Sequence, residues 1–201
     1  MQIIKSKFFI LLFVLFSSCE NKTIRDKEGL IVYQENQISW IRNFEPLNPV
    51  SIPRWPTKGG IYESLYLNNP ITTDWVPWLA TNFKWENNNK KLLFTIRPNV
   101  QWSDGKPFSA HDVAYTLNLW NQYPALDTRN AWEYLKSVIA VSDTLVQIDF
   151  KRIYVPGFEA IAGAPIIPKH IWEELKDPLD FSNPNPVGTG PYTEVLRFNS
   201  Q

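Results

Sequence analysis

Cysteine is nearly absent from this chain of 201 residues, and Cys19 stands alone. An intramolecular disulfide is therefore excluded. Histidine is almost as scarce. His111 and His170 are far apart, with no other ligand at metal-site spacing, so a metal centre would need carboxylates delivered by the fold, and no metal is expected. An excess of either charge is missing too, with 20 basic and 20 acidic residues. That balance excludes the clustered basic surplus of a nucleic-acid surface. Methionine occurs once, whereas Trp occurs nine times and Pro 16 times, and 14% of the chain is aromatic. Such a mixture argues against a helical bundle or a disordered chain and favours a loop-rich mixed α/β structure with bulky packing.

The unbroken apolar run at residues 8–16 is too short to cross a bilayer, which takes about 20 residues. Lys5 and Lys7 precede it and Ser17-Ser18-Cys19 follow it, the pattern of a secretory signal peptide over residues 1–18. A Cys directly after two small residues fits a lipobox, with Phe16 standing where that motif usually has Leu. Cys19 would then be the acylated first residue of the mature chain, anchored stably because it carries several acyl chains. The alternative is an ordinary secreted protein with an incidental Cys near the cut. Residues 19–29 are polar and charged and read as a tether. Losing Lys5 and Lys7 with the leader leaves 18 basic against 20 acidic residues, a mature charge of −2.

The folded part is expected over residues 30–201, opening with a strand at 30–33. Leu92, Phe94 and Ile96 alternate with Leu93, Thr95 and Arg97, the period of a half-buried strand, and Asn87-Asn88-Asn89 turns into it from residues 83–85. A second hairpin is expected from residues 137–141 and 145–150. Asp104-Gly105 marks a turn where Gly takes positive φ without a Cβ clash. Ser109 follows as a helix N-cap with Asp112 as its capping-box acid. Val113, Leu117 and Trp120 then form one apolar helix face that must end near Tyr123-Pro124. Residues 60–66 read as a short helix or turn, and residues 169–175 as a short helix opened by Pro168.

Enzymatic readings find little support. Ser109, His111 and Asp112 carry the letters of a hydrolytic triad but fall within one helical turn, whereas nucleophile, base and orienter must converge across a cleft. Gly188-Thr189-Gly190 is followed by Pro rather than Lys, which fits a structural turn and no phosphate loop. Glu173-Glu174 reads as a solvated face.

Five blocks, in order, carry a family resemblance. They are Ile61-Tyr62-Glu63-Ser64-Leu65, Pro77-Trp78-Leu79-Ala80, Trp102-Ser103-Asp104-Gly105-Lys106-Pro107-Phe108 with Ala110, Asp112-Val113 and Thr116, Pro165-Ile166-Ile167-Pro168-Lys169-His170, and Pro186-Val187-Gly188-Thr189-Gly190-Pro191-Tyr192. Together they resemble the family 5 extracytoplasmic solute-binding proteins, the peptide and oligosaccharide receptors of ABC importers. The resemblance implies an α+β first lobe of a two-lobed, type II periplasmic-binding-protein-like fold, with the second lobe absent from this chain. It implies a non-enzymatic receptor without cofactor, lipid-anchored in the cell envelope outside the cytoplasm, that hands oligopeptides to membrane permease subunits. Ligand contacts are then expected from Gln34, Asn36 and Trp40 after the first strand and from Tyr62 and Glu63. Gln37, Trp40, Asn43-Phe44, Pro46-Leu47, Trp75, Trp78 and Trp102 are similar to the oligosaccharide-binding branch, so sugar remains open as the solute. A lone lobe with a sensory or scaffold role and no transport activity is the remaining alternative.

Overall fold

The computed structural model describes residues 42–50, 53 and 56–192. The leader, Cys19, the expected strand at 30–33 and the candidate ligand residues Gln34, Asn36 and Trp40 lie outside the described residues.

Alternating apolar side chains build the centre. Strands β1 (Tyr66–Asn68) and β2 (Trp75–Pro77) pair as a small antiparallel ribbon. Strands β3 (Ala80–Glu86), β4 (Lys91–Ile96), β5 (Leu135–Ser142) and β6 (Leu145–Phe150) form an antiparallel sheet in the order β3-β4-β6-β5. The register sets Leu92 opposite Ile148 and Phe94 opposite Val146, so these side chains share one face, and all four are fully buried. Each such side chain stabilises the fold by roughly 1.5–3 kcal/mol relative to exposure. Asn87, Asn88 and Asn89 all take φ between 50° and 60°, the left-handed region that Asn tolerates best after Gly, and so close the β3–β4 turn. The edge strands β3 and β5 both carry register shifts, the bulges that blunt an open sheet edge.

Helix α1 (Ala110–Gln122) covers the apolar face of the sheet. Val113, Leu117 and Trp120 are buried there, and the Asn118 amide donates to the Val138 carbonyl of β5 at 3.1 Å. Its start follows the expected capping box. The Ser109 hydroxyl accepts from the His111 N–H at 3.2 Å, and the Asp112 carboxylate accepts from the Ser109 N–H at 2.9 Å. The helix stops at Tyr123, because a residue before proline is pushed out of the α region.

Residues 60–66, expected as a short helix or turn, take the second form: a turn at Thr57–Ile61 with Gly59 at φ +80° gives way to extended chain at Tyr62. The third helix differs from expectation. Pro168 caps the third helix rather than opening its first turn, and α3 (Lys169–Trp172) is shorter than expected. Asp177 precedes Pro178, which keeps the chain beyond it from continuing as helix. Helix α2 (Gly157–Ala162) and the β1–β2 ribbon carry no strong periodic signal in so few residues.

Candidate functional site

The five sequence blocks meet in one place, and backbone groups make most of the joints. The Ile166 N–H donates to the Glu63 carbonyl at 2.9 Å, and the Trp78 and Ala80 N–H groups both donate to the Leu65 carbonyl at 3.0 Å. Asp112 and Thr116 stand one turn apart on α1. The second Asp112 oxygen accepts from the Lys169 N–H at 3.0 Å, while the Thr116 hydroxyl donates to the Asp112 carbonyl at 2.8 Å and accepts from the Ile167 N–H at 3.2 Å. Both side chains are buried, so a helix start and a distant loop share one polar clamp.

The turn at Asp104-Gly105 is tied from two sides. His170 meets the Asp104 carboxylate at 2.8 Å, and the Ser103 N–H donates to the Gly188 carbonyl at 2.9 Å. Burial alone would raise the Asp104 carboxyl, but the hydrogen bond from His170 and the Lys106 N–H together hold it below the usual aspartate value. Gly188 and Gly190 lie directly on the 60–61 backbone. A Cβ on Gly188 would fall 2.0 Å from the Ile61 carbonyl oxygen, and one on Gly190 would fall 2.2 Å from that of Gly60. Only glycine fits there, which is the physical content of the Gly188-Thr189-Gly190 turn.

Tyr62 and Glu63, expected to face a ligand, sit inside this junction. Tyr62 is 1% exposed, and its hydroxyl accepts from the Asn183 amide at 2.5 Å. Burial drives its phenol well above the ordinary tyrosine value. Glu63 is 7% exposed, and its carboxylate accepts the Trp78 indole N–H at 2.7 Å. That bond fixes Trp78, which is 41% exposed. Trp102 and Trp172 are core residues, as most Trp of a globular chain are. His111 lies 3.4 Å from Asp143.

Beside the junction lies a groove of about 140 Å³ that sequence reasoning missed. Its walls include Leu47, Lys58, Trp120, Asp127, Arg129 and Pro165. The Asp127 carboxylate is already engaged by the Ala131 and Trp132 N–H groups at 2.8 and 2.9 Å. Arg129 donates one guanidinium N–H to the Glu159 carbonyl at 2.9 Å. Lys58 and Arg129 set two cations against that one carboxylate around the groove, over an apolar floor. Neither residue belongs to a motif or to a periodic pattern, so no local signal marks them.

The Ser109 hydroxyl and the Asp112 carboxylate are engaged in capping α1, the His111 ring lies against Asp143, and among the described residues no three metal-ligating side chains gather. Residues 74–195 match the family model for bacterial extracellular solute-binding proteins, family 5, middle. The chain belongs to that family. A family 5 relative, the nickel-binding periplasmic protein of Escherichia coli strain K12, is 30% identical over 169 residues, 77% of this chain and 30% of that protein. The periplasmic oligopeptide-binding protein OppA of Salmonella typhimurium is 29% identical over 153 residues, 71% of this chain and 26% of its own length. Among solved structures, a mannohexaose-bound periplasmic oligopeptide-binding protein of Thermotoga maritima superposes with a TM-score of 0.68 at 31% identity, covering 75% of this chain and 28% of that one. The chain thus spans 26–30% of the length of these three proteins. Its fold is a mixed α/β portion of a periplasmic-binding-protein-like lobe.

Proposed function

We propose that this chain is the substrate-binding component of an ABC importer, taking up oligopeptides outside the cytoplasm and delivering them to a membrane permease, held at the membrane by acylated Cys19. What carries the peptide reading is the groove rimmed by Lys58 and Arg129. A peptide offers carboxylates that a guanidinium pairs with in a directional, charge-assisted way, which a neutral sugar does not. At about 140 Å³ the groove is a subsite, smaller than the roughly 300–1,000 Å³ of a complete small-molecule pocket. It would hold one acidic end or side chain, with Gln34, Asn36 and Trp40 as further candidate contacts. Tyr62 and Glu63 enter this reading as positioning residues, Glu63 through its bond to Trp78.

The exposed Trp78 favours a second reading. A Trp fixed at its N–H by a carboxylate is a rigid aromatic face, suited to stacking on the C–H surface of a sugar. The Thermotoga maritima protein was solved with mannohexaose bound. Isothermal titration of the natural full-length protein against oligopeptides and against manno- and cello-oligosaccharides separates the two. Peptide binding that weakens at least tenfold in Arg129→Ala supports the first reading, and binding of sugars alone overturns it. Mass spectrometry of the N-terminal fragment from detergent extracts tests the anchor, and an unmodified, freely soluble N-terminus would remove it.

A further inference from the structure

The sheet has a second face. Because directly paired residues of an antiparallel ladder share a face, the side away from α1 carries Lys91, Asp149 and Ser137 in one row and Leu93, Gln147 and Ile139 in the next, with Lys84 and Glu86 on β3. At one end, Lys90, Lys91, Lys136 and Lys151 line a shallow depression of about 430 Å³. The acids nearby are already engaged. Glu86 pairs with Lys84 at 2.7 Å, and Asp149 accepts from the Gln147 amide at 2.8 Å and the Ser137 hydroxyl at 3.1 Å. Among the described residues none of the four lysines lies within ion-pair distance of a carboxylate; Lys151 donates to the Trp132 carbonyl at 2.8 Å. A chain with no net charge therefore concentrates five lysines against two acids on one surface. Continuous with them, Ile139 is 48% and Val141 52% exposed along β5.

We propose that this face docks against an anionic phospholipid bilayer, the lysines meeting lipid phosphates and the β5 aliphatics resting at the headgroup boundary. The argument is charge complementarity joined to exposed aliphatic area. A soluble phosphate has use for the lysines but none for Ile139 and Val141, whereas a lipid surface engages both. Docking this way would turn the opposite side of the sheet, with α1, away from the membrane.

The test is co-sedimentation of the Cys19→Ser chain, so that no acyl group contributes, with vesicles of phosphatidylcholine alone and with added phosphatidylglycerol. Failure of the anchor and failure of this inference are then separate results. The unaltered face is expected to bind phosphatidylglycerol vesicles preferentially, with the preference fading as salt rises. The triple change Lys90→Gln, Lys91→Gln and Lys136→Gln is expected to weaken binding on the order of 100-fold. These side chains are at the surface, and an unchanged unfolding midpoint verifies that the variant folds; Ile139→Ser and Val141→Ser supply a second, charge-neutral loss. Equal sedimentation with both vesicle types overturns the proposal, as does full binding by the lysine variant. Binding of inorganic phosphate or an acidic protein without binding to vesicles would also overturn it, by assigning the lysines to another partner.

Discussion

The sheet and the motif junction hold the same lobe together by opposite means. In the sheet, Leu92, Phe94, Val146 and Ile148 act through area removed from water, an interaction that tolerates exchange among side chains of similar volume. In the junction, the partners are mostly backbone N–H and carbonyl groups, and the side chains that matter are small or polar: Gly188, Gly190, Asp112 and Thr116. Apolar packing is therefore robust to substitution and polar joinery is not, because an unpaired buried donor costs about 1–3 kcal/mol.

The comparison breaks most visibly at Gly188. Gly188→Ala puts a Cβ against the Ile61 backbone, which has no flexible end to yield, and a loss of about 5 kcal/mol or failure to fold is expected in denaturant melts. Phe94→Ala removes far more volume, yet its cost is expected to be smaller, about 4 kcal/mol. A glycine-to-alanine change milder than this core deletion would show the junction to be softer than its geometry. Next comes Asp112→Ala, expected to cost about 2–3 kcal/mol because it removes the capping-box acid and also orphans the Lys169 N–H. Ser109→Ala, which removes the cap acceptor and a long hydroxyl contact to Asp112 but leaves the Lys169 N–H paired, is expected to cost about 1 kcal/mol.

The smallest effect is one of pH. The folded Asp104 carboxyl lies below the ordinary aspartate value of 3.8, so the folded state binds fewer protons there than the unfolded chain. Its contribution is complete above that value and is lost as pH falls through the lower, folded one. Asp104→Asn is expected to flatten the acid limb of the stability profile, an outcome checked by thermal melts below pH 5.

The sheet was legible because its information is local. Leu92, Phe94 and Ile96 declare a strand at spacing two, and Ser109 with Asp112 declares a helix start within four residues. The junction is legible as a set of blocks and illegible as a mechanism, since Asp112 gives no hint that it also serves Lys169, 57 residues away. Glu63 shows the same limit: nothing beside it in the chain announces that its carboxylate takes the indole N–H of Trp78, 15 residues on. Lys58 and Arg129 become neighbours of one groove only through tertiary packing, so the cationic rim had no sequence signature at all.

The close approach of Gly188 to Ile61 also sets a clock. The two residues are 188 − 61 = 127 positions apart, so at about 5–20 residues per second a ribosome takes on the order of ten seconds between making one and making the other. Throughout that interval the stretch around Ile61 has no native partner for its carbonyl and no seat for its turn. The joint between the two therefore waits on residues made late, and a polypeptide lacking them is unable to close it.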